Sequence, residues 1–149
     1  MRQGVFGPVL DFVQHARDKE NTQAEADFIQ QASELPPDTK ILDVPCGGGR
    51  LSLELASRGY RVTGVDISWP LLEDAKAIAD VQHLPISWEH RDMRDFPWRG
   101  QFDAAICFWS SFSYFDDQGN ADFLRAVSHT VKPGAPFLLD TPLIETRVP

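Results

Sequence analysis

The 149-residue chain has two cysteines, no apolar run near the ~18 residues of a membrane helix, no leader pairing charge with an apolar stretch, no internal repeat and no low-complexity segment. Two cysteines, without such a leader or apolar run, point to a reducing cytoplasm away from any membrane, so both thiols are expected to be free. His15, His83, His90 and His129 are scattered, and with Cys46 and Cys107 they give no ligand spacing, so no metal site is expected. Basic charge is also short. Lys plus Arg is 14 against 22 for Asp plus Glu, and the net charge of −8 with no local basic patch speaks against a nucleic-acid partner. What is present is an apolar fraction of 42%, enough for one core and not for two, so a single domain over 1–149 is expected.

Hydrophobic spacing divides that domain. Phe6, Val9, Leu10 and Val13 fall on one face of a short helix with Pro8 in its first turn, and RDKEN at 17–21 reads as a solvated break. Thr22 and Glu25 then make a capping-box pattern ahead of Phe28, Ile29, Ala32 and Leu35, and Pro36 and Pro37 stop this second helix. Segments 1–35 therefore form an N-terminal helical extension to a core over 38–149. In the core, strands are expected near 40–44, 61–65, 86–90, 103–108 and 136–140, and helices near 50–58, 69–79 and 120–131. Such alternation means an α/β fold, a Rossmann-like doubly wound and mainly parallel sheet with helices on both faces. Leu71, Leu72, Ala75, Ile78 and Ala79, and likewise Phe123, Leu124, Val127 and Val131, are the stripes that cover it.

Residues 41–50 read ILDVPCGGGR, a strand, a glycine turn and the start of an amphipathic helix. Glycine lets backbone approach a ligand closely, and the free amides of the helix start favour a carboxylate or another anion. Asp66 follows Gly47 by 19 residues at the end of YRVTGVDIS, where a carboxylate can accept hydrogen bonds from both hydroxyls of a ribose. Gly47, Gly49 and Ser52 come within one residue of the nicotinamide-dinucleotide fingerprint. Asp43 argues the other way. Four residues before Gly47, it would repel a pyrophosphate but suit an amino-acid ammonium, which favours S-adenosylmethionine and leaves NAD as an alternative.

At this point the chain resembles the class I S-adenosylmethionine-dependent methyltransferases, with motifs in that family's order along most of its length. ILDVPCGGGR resembles the first motif, VTGVDIS the acidic end of the second strand, EHRDMRDF the adenine-binding segment, FDAAICFWSSFSYF the fourth strand, and LRAVSHTVKPGAPFLLDTP a helix and the fifth strand. Asp43, Cys46, Gly47 and Gly49 match the first motif, and Pro45 departs from it by standing where the family has Gly. The resemblance implies that Asp92 receives the adenine amino group. Ile67 and Met93 are expected as apolar walls for the purine, and Phe108 joins the same rim beyond the strands' carboxyl ends. Trp109, Ser110, Ser113 and Tyr114 leave the fourth strand where a methyl acceptor would meet the cofactor. The NPPY-type tetrapeptide of amino-methylating relatives is absent, so a small organic acceptor is expected rather than a nucleic-acid base. Phe112 reads better as packing beneath the N-terminal helices.

No catalytic base stands out. His15, His90, Tyr114 and Asp116 could each accept a proton, but none is paired with an orienting acid in the sequence, and alignment alone can accelerate a displacement whose leaving group is already good. The chain also ends at LLDTPLIETRVP, whereas the family continues into another helix and two strands, so a C-terminal truncation is expected and with it self-association through an exposed sheet edge. Cys46 and Cys107, near the carboxyl ends of adjacent strands, are expected to be neighbours. The reading is a methyltransferase acting on a small molecule. A non-catalytic cofactor-binding or interaction module is the alternative, and a nicotinamide oxidoreductase is third.

Overall fold

A computed structural model describes residues 8–108 and 117–139. The elements run α1 (Pro8–Ser33), β1 (Lys40–Asp43), α2 (Arg50–Ser57), β2 (Arg61–Asp66), α3 (Trp69–Val81), β3 (Ser87–His90), β4 (Ala104–Cys107), α4 (Asp117–Thr130) and β5 (Phe137–Leu139). Five strands form one sheet in the order β3-β2-β1-β4-β5. Every neighbouring pair is parallel. The order reverses beside β1, so β1 and β4 diverge to their following helices on opposite faces and open a crevice at their carboxyl ends.

Period-two alternation sorts the strand side chains between two cores. Ile41, Val62, Ala104, Ile106 and Phe108 join Ala26 and Ile29 of α1 and Leu51, Leu55 and Ala56 of α2 in one cluster. Leu42, Val65, Ala105 and Cys107 join Phe123 and Val127 of α4 in the other, with Met93 and Phe102 from the β3–β4 connection. Both faces are thus covered, which is why β1 and β4 are almost wholly buried rather than half polar.

Two sequence expectations at the N-terminus need correction. No break occurs at 17–21, where α1 is continuous for 26 residues. Arg, Lys and Glu are good helix formers and neither Pro nor Gly interrupts the stretch, so solvated charge did not mean a loop. The buried stripe also differs. Thr22, Ala26 and Ile29 face inward, while Phe28 is 56% exposed. Two stripes of the same 3.6-residue period run along α1, and packing on α2 selected the one with fewer large apolar residues. The same effect leaves Ile78 of α3 43% exposed while Leu72, Ala75 and Ala79 carry the contact.

At the far end of the sheet, Asp103 joins β1 to the segment after α4. Its Oδ2 accepts the Lys40 amide at 2.8 Å and its Oδ1 accepts Lys132 Nζ at 2.7 Å. The hydrogen bond from Lys132, then that from the Lys40 amide, holds this carboxyl below its usual range. A depressed acid stabilises the fold above its unfolded pKa and loses that contribution as the pH falls through the folded value. Asp103→Ala is therefore expected to lower stability by about 1–3 kcal/mol at pH 7, with a smaller gap from wild type at about pH 2.5. Urea denaturation at both pH values checks it, and an equal gap at each would contradict the linkage.

Candidate cofactor site

The carboxyl end of β1 turns into the glycine loop through a cis Val44–Pro45 peptide. The Val44 amide donates to Ile106 O at 3.1 Å and the Cys46 amide to Val65 O at 2.8 Å, so the loop is laced to both neighbouring strands. Gly47 and Gly49 lie in the left-handed region at φ 58° and 85°, conformations that side-chain-bearing residues rarely adopt. Gly49 is the residue before the first turn of α2, where its carbonyl accepts the Leu53 amide at 2.8 Å.

Asp66 ties this loop to the next. Its Oδ2 accepts the Gly47 amide at 2.8 Å and its Oδ1 accepts the Ser68 amide at 2.8 Å. Each oxygen keeps a second lone pair for a ligand hydroxyl. Ser68, not Asp66, caps α3, its Oγ accepting the Leu71 amide at 3.4 Å. Asp66 is therefore a loop organiser with acceptor capacity to spare.

Asp43 lies beneath the loop, 3% exposed, with Ser52 Oγ donating to its Oδ2 at 2.6 Å. Burial pushes its carboxyl up to about 7, against the opposing effects of the Ser52 hydroxyl and the Arg50 charge. A carboxylate kept this dry is a receptive partner for a cationic ligand group. The Ser52 contact, across nine residues, was missed in the sequence, where Ser52 served only as part of a glycine fingerprint. Cys46 is 8% exposed, and burial raises its thiol well above the usual range, which makes it an inert packing group.

Thr22 and Glu25, read as a capping box, lie inside α1 and grip the loop's outer end. Arg50 Nη1 donates to Thr22 Oγ1 at 2.7 Å and to Glu25 Oε1 at 2.6 Å. A Thr and Glu three residues apart share a helix face wherever they sit, so the spacing signalled proximity and not a terminus.

The rim beyond β2 and β3 carries the remaining candidates. Ile67 is 68% exposed and Trp69 56%, an open apolar surface next to Asp66. His90 Nε2 is 2.9 Å from Ile67 O, and its ring meets Trp69 edge-on at 5.3 Å. Asp92 binds Arg94 in bidentate fashion, Oδ1 accepting Nε at 3.0 Å and Oδ2 accepting Nη2 at 2.7 Å, with the Arg94 amide also on Oδ1. The Arg94 hydrogen bond holds the Asp92 carboxyl below its usual range. Met93 is buried against the α4 face and Phe108 within the α1–α2 face, so both pack in the core. Trp109, Ser110, Ser113 and Tyr114, together with Phe112 and Asp116, lie outside the described residues. Cys46 and Cys107 both carry reduced thiols. Their strands are adjacent, but Cys46 Sγ points toward Gly64 on the α2–α3 face and Cys107 packs with α4 on the other. Among the described residues, no helix is long and apolar enough to cross a membrane.

A parallel sheet in this order, a glycine loop after β1 and an acid ending each of two adjacent strands define the doubly wound class of nucleotide-cofactor proteins. The methyltransferase-domain family model matches residues 41–134, and the chain belongs to that family, whose class I members use S-adenosylmethionine. The chain is 33% identical over 108 residues to the candidate methyltransferase YqeM of Bacillus subtilis (strain 168), covering 71% of this chain and 43% of that protein. It is 35% identical over 102 residues to a ubiquinone biosynthesis O-methyltransferase of Coxiella burnetii, covering 68% and 42%. The chain thus spans less than half the length of these curated relatives. A solved S-adenosylmethionine-dependent methyltransferase from Clostridium acetobutylicum ATCC 824 superposes with a TM-score of 0.75 at 25% identity, covering 89% of this chain and 57% of that one.

Proposed function

We propose that this chain is the cofactor-binding part of an enzyme that transfers a methyl group from S-adenosylmethionine to a small organic acceptor, in the cytoplasm. The observation that carries the reading is the convergence of a dry Asp43, the glycine loop and Asp66 at one strand-end crevice. In this reading Asp43 holds the amino-acid ammonium, directly or through the turn it orders. The glycine loop and the amides at the start of α2 face the carboxylate, Asp66 accepts the ribose hydroxyls, Ile67 and Met93 border the purine, and Asp92 takes its amino group. The bound cofactor supplies an electrophilic methyl on a sulfonium, which passes to an acceptor lone pair as the sulfur–carbon bond breaks and leaves a neutral thioether. The protein's part is alignment and exclusion of water.

The relative named an O-methyltransferase favours an oxygen nucleophile, and the hydroxyl- and aromatic-rich 109–114 segment suits a small acceptor of that kind. Contact between copies along β5, which stands at one end of the strand order, belongs to the same proposal. Calorimetric titration is expected to give saturable binding of S-adenosylhomocysteine and no heat with NAD at equal concentration. A tritiated-methyl assay on a panel of phenols and other small alcohols then seeks the acceptor. Binding of NAD in preference to S-adenosylhomocysteine would overturn the reading, and binding without transfer to any acceptor would favour a non-catalytic module.

A further inference from the structure

Trp88 of β3 pairs in register with Gly64 of β2, and the indole lies across that glycine. A Cβ at Gly64 would stand 2.7 Å from Trp88 Cζ3 and 3.1 Å from Cys46 Sγ. A Cβ at Gly49 would stand 2.9 Å from Trp88 Cη2 and 2.8 Å from Ala75 Cβ of α3. One edge of one ring therefore touches the middle of β2 and the last residue of the glycine loop. An aromatic laid over a strand glycine is a known way of filling the bare sheet surface, and here it reaches further.

We propose that Trp88 is a positioning residue: its indole is a wedge that sets the height of the 46–49 loop above β2, and with it the position of the loop backbone that borders the crevice. This role rests on the cofactor reading above and adds a residue that touches no ligand in it. The loop is pulled down toward β2 by the Cys46 amide on Val65 O and by the Gly47 amide on Asp66. At the far end the Gly49 amide donates to Cys46 O at 3.0 Å and its carbonyl accepts the Leu53 amide at 2.8 Å, bonds within the loop and to α2 that do not reach β2, and neither Gly49 nor Gly64 has a side chain to keep them apart. The indole fills that gap, and Ala75 closes it from α3. Glycine is then required at 64 by the ring, and at 49 twice over, by the ring and by the loop's φ of 85°.

The test separates wedge from filler. Wild-type chain, Trp88→Leu and the double variant Gly64→Ala/Trp88→Leu are compared by thermal melting and by titration with S-adenosylhomocysteine. Trp88→Leu is expected to lose affinity on the order of tenfold, because sub-ångström to ångström displacement of aligned groups is costly. In the double variant the methyl group added at position 64 refills the surface of β2, so the melting temperature recovers in part while the affinity stays low, Gly49 still lacking its support. If Trp88→Leu binds within about twofold of wild type, or affinity recovers in step with melting temperature, Trp88 is core filler and the proposal falls. If Trp88→Leu does not fold, 7-fluorotryptophan in the wild-type chain replaces it: the Trp88 fluorine signal should shift on saturation with S-adenosylhomocysteine, and an unmoved signal overturns the wedge. Failure of wild type itself to bind would sink the cofactor reading, a result distinct from all of these.

Discussion

Asp66→Ala is expected to weaken S-adenosylhomocysteine binding on the order of 100-fold or more, the largest single effect at the site. Hydrogen bonds to a charged group contribute about 1.5–3 kcal/mol each, and two of them from ribose hydroxyls account for that loss. Asp66 also accepts the Gly47 and Ser68 amides at 2.8 Å, so part of the effect comes from the loops it joins. A double-mutant cycle divides the two. A cofactor analogue lacking the 2′-hydroxyl should bind wild type more weakly than S-adenosylhomocysteine does, and should lose that disadvantage in Asp66→Ala. Affinity of the variant within about threefold of wild type would remove the ribose assignment altogether.

Asp43→Asn is expected to cost affinity on the order of 10- to 100-fold at pH 8 while leaving the free protein as stable as wild type or more so. The two effects have one cause. Burial raises the carboxyl from its ordinary value to about 7, so the folded state binds this proton more tightly than the unfolded chain. The stabilisation that follows is fully present below the unfolded pKa and is lost as the pH rises through about 7. Above that, keeping Asp43 ionised in the free protein costs on the order of a few kcal/mol. An amide at 43 avoids that cost but offers no charge to a ligand ammonium. Wild-type affinity should accordingly increase with pH up to about 7 and level off above it, since a bound cation favours the ionised acid, and Asp43→Asn should lose this pH dependence. Calorimetry between pH 5.5 and 8.5, with melting curves at each end, checks both halves. A variant that unfolds at pH 8, with normal binding in whatever remains folded, would make Asp43 a structural acid only.

The glycine loop and its two acids were legible because their chemistry is local. A left-handed turn requires glycine within a few residues of a strand end, and an acid closing the next strand falls at a fixed distance whenever a short helix intervenes. Alternation of apolar strands with amphipathic helices placed β1 to β5 and α2 to α4 within a few residues for the same reason. Three features had no such signal. Ser52 reaches Asp43 only because α2 lies on one face of β1, Trp88 reaches Gly49 only through the β2–β3 register, and Thr22 and Glu25 find Arg50 only once α1 lies along α2.

The sequence by itself determined the class of fold, the position of the crevice and the residue types available to a cofactor there, since each follows from spacing along one chain. Only the tertiary structure decided which stripe of α1 is buried, that the two thiols face opposite sides of the sheet, and that burial raises the Asp43 carboxyl. Those properties depend on which surfaces exclude water together. Exclusion of water is a relation between segments distant in sequence, and a period of 3.6 or 2 residues carries no record of it.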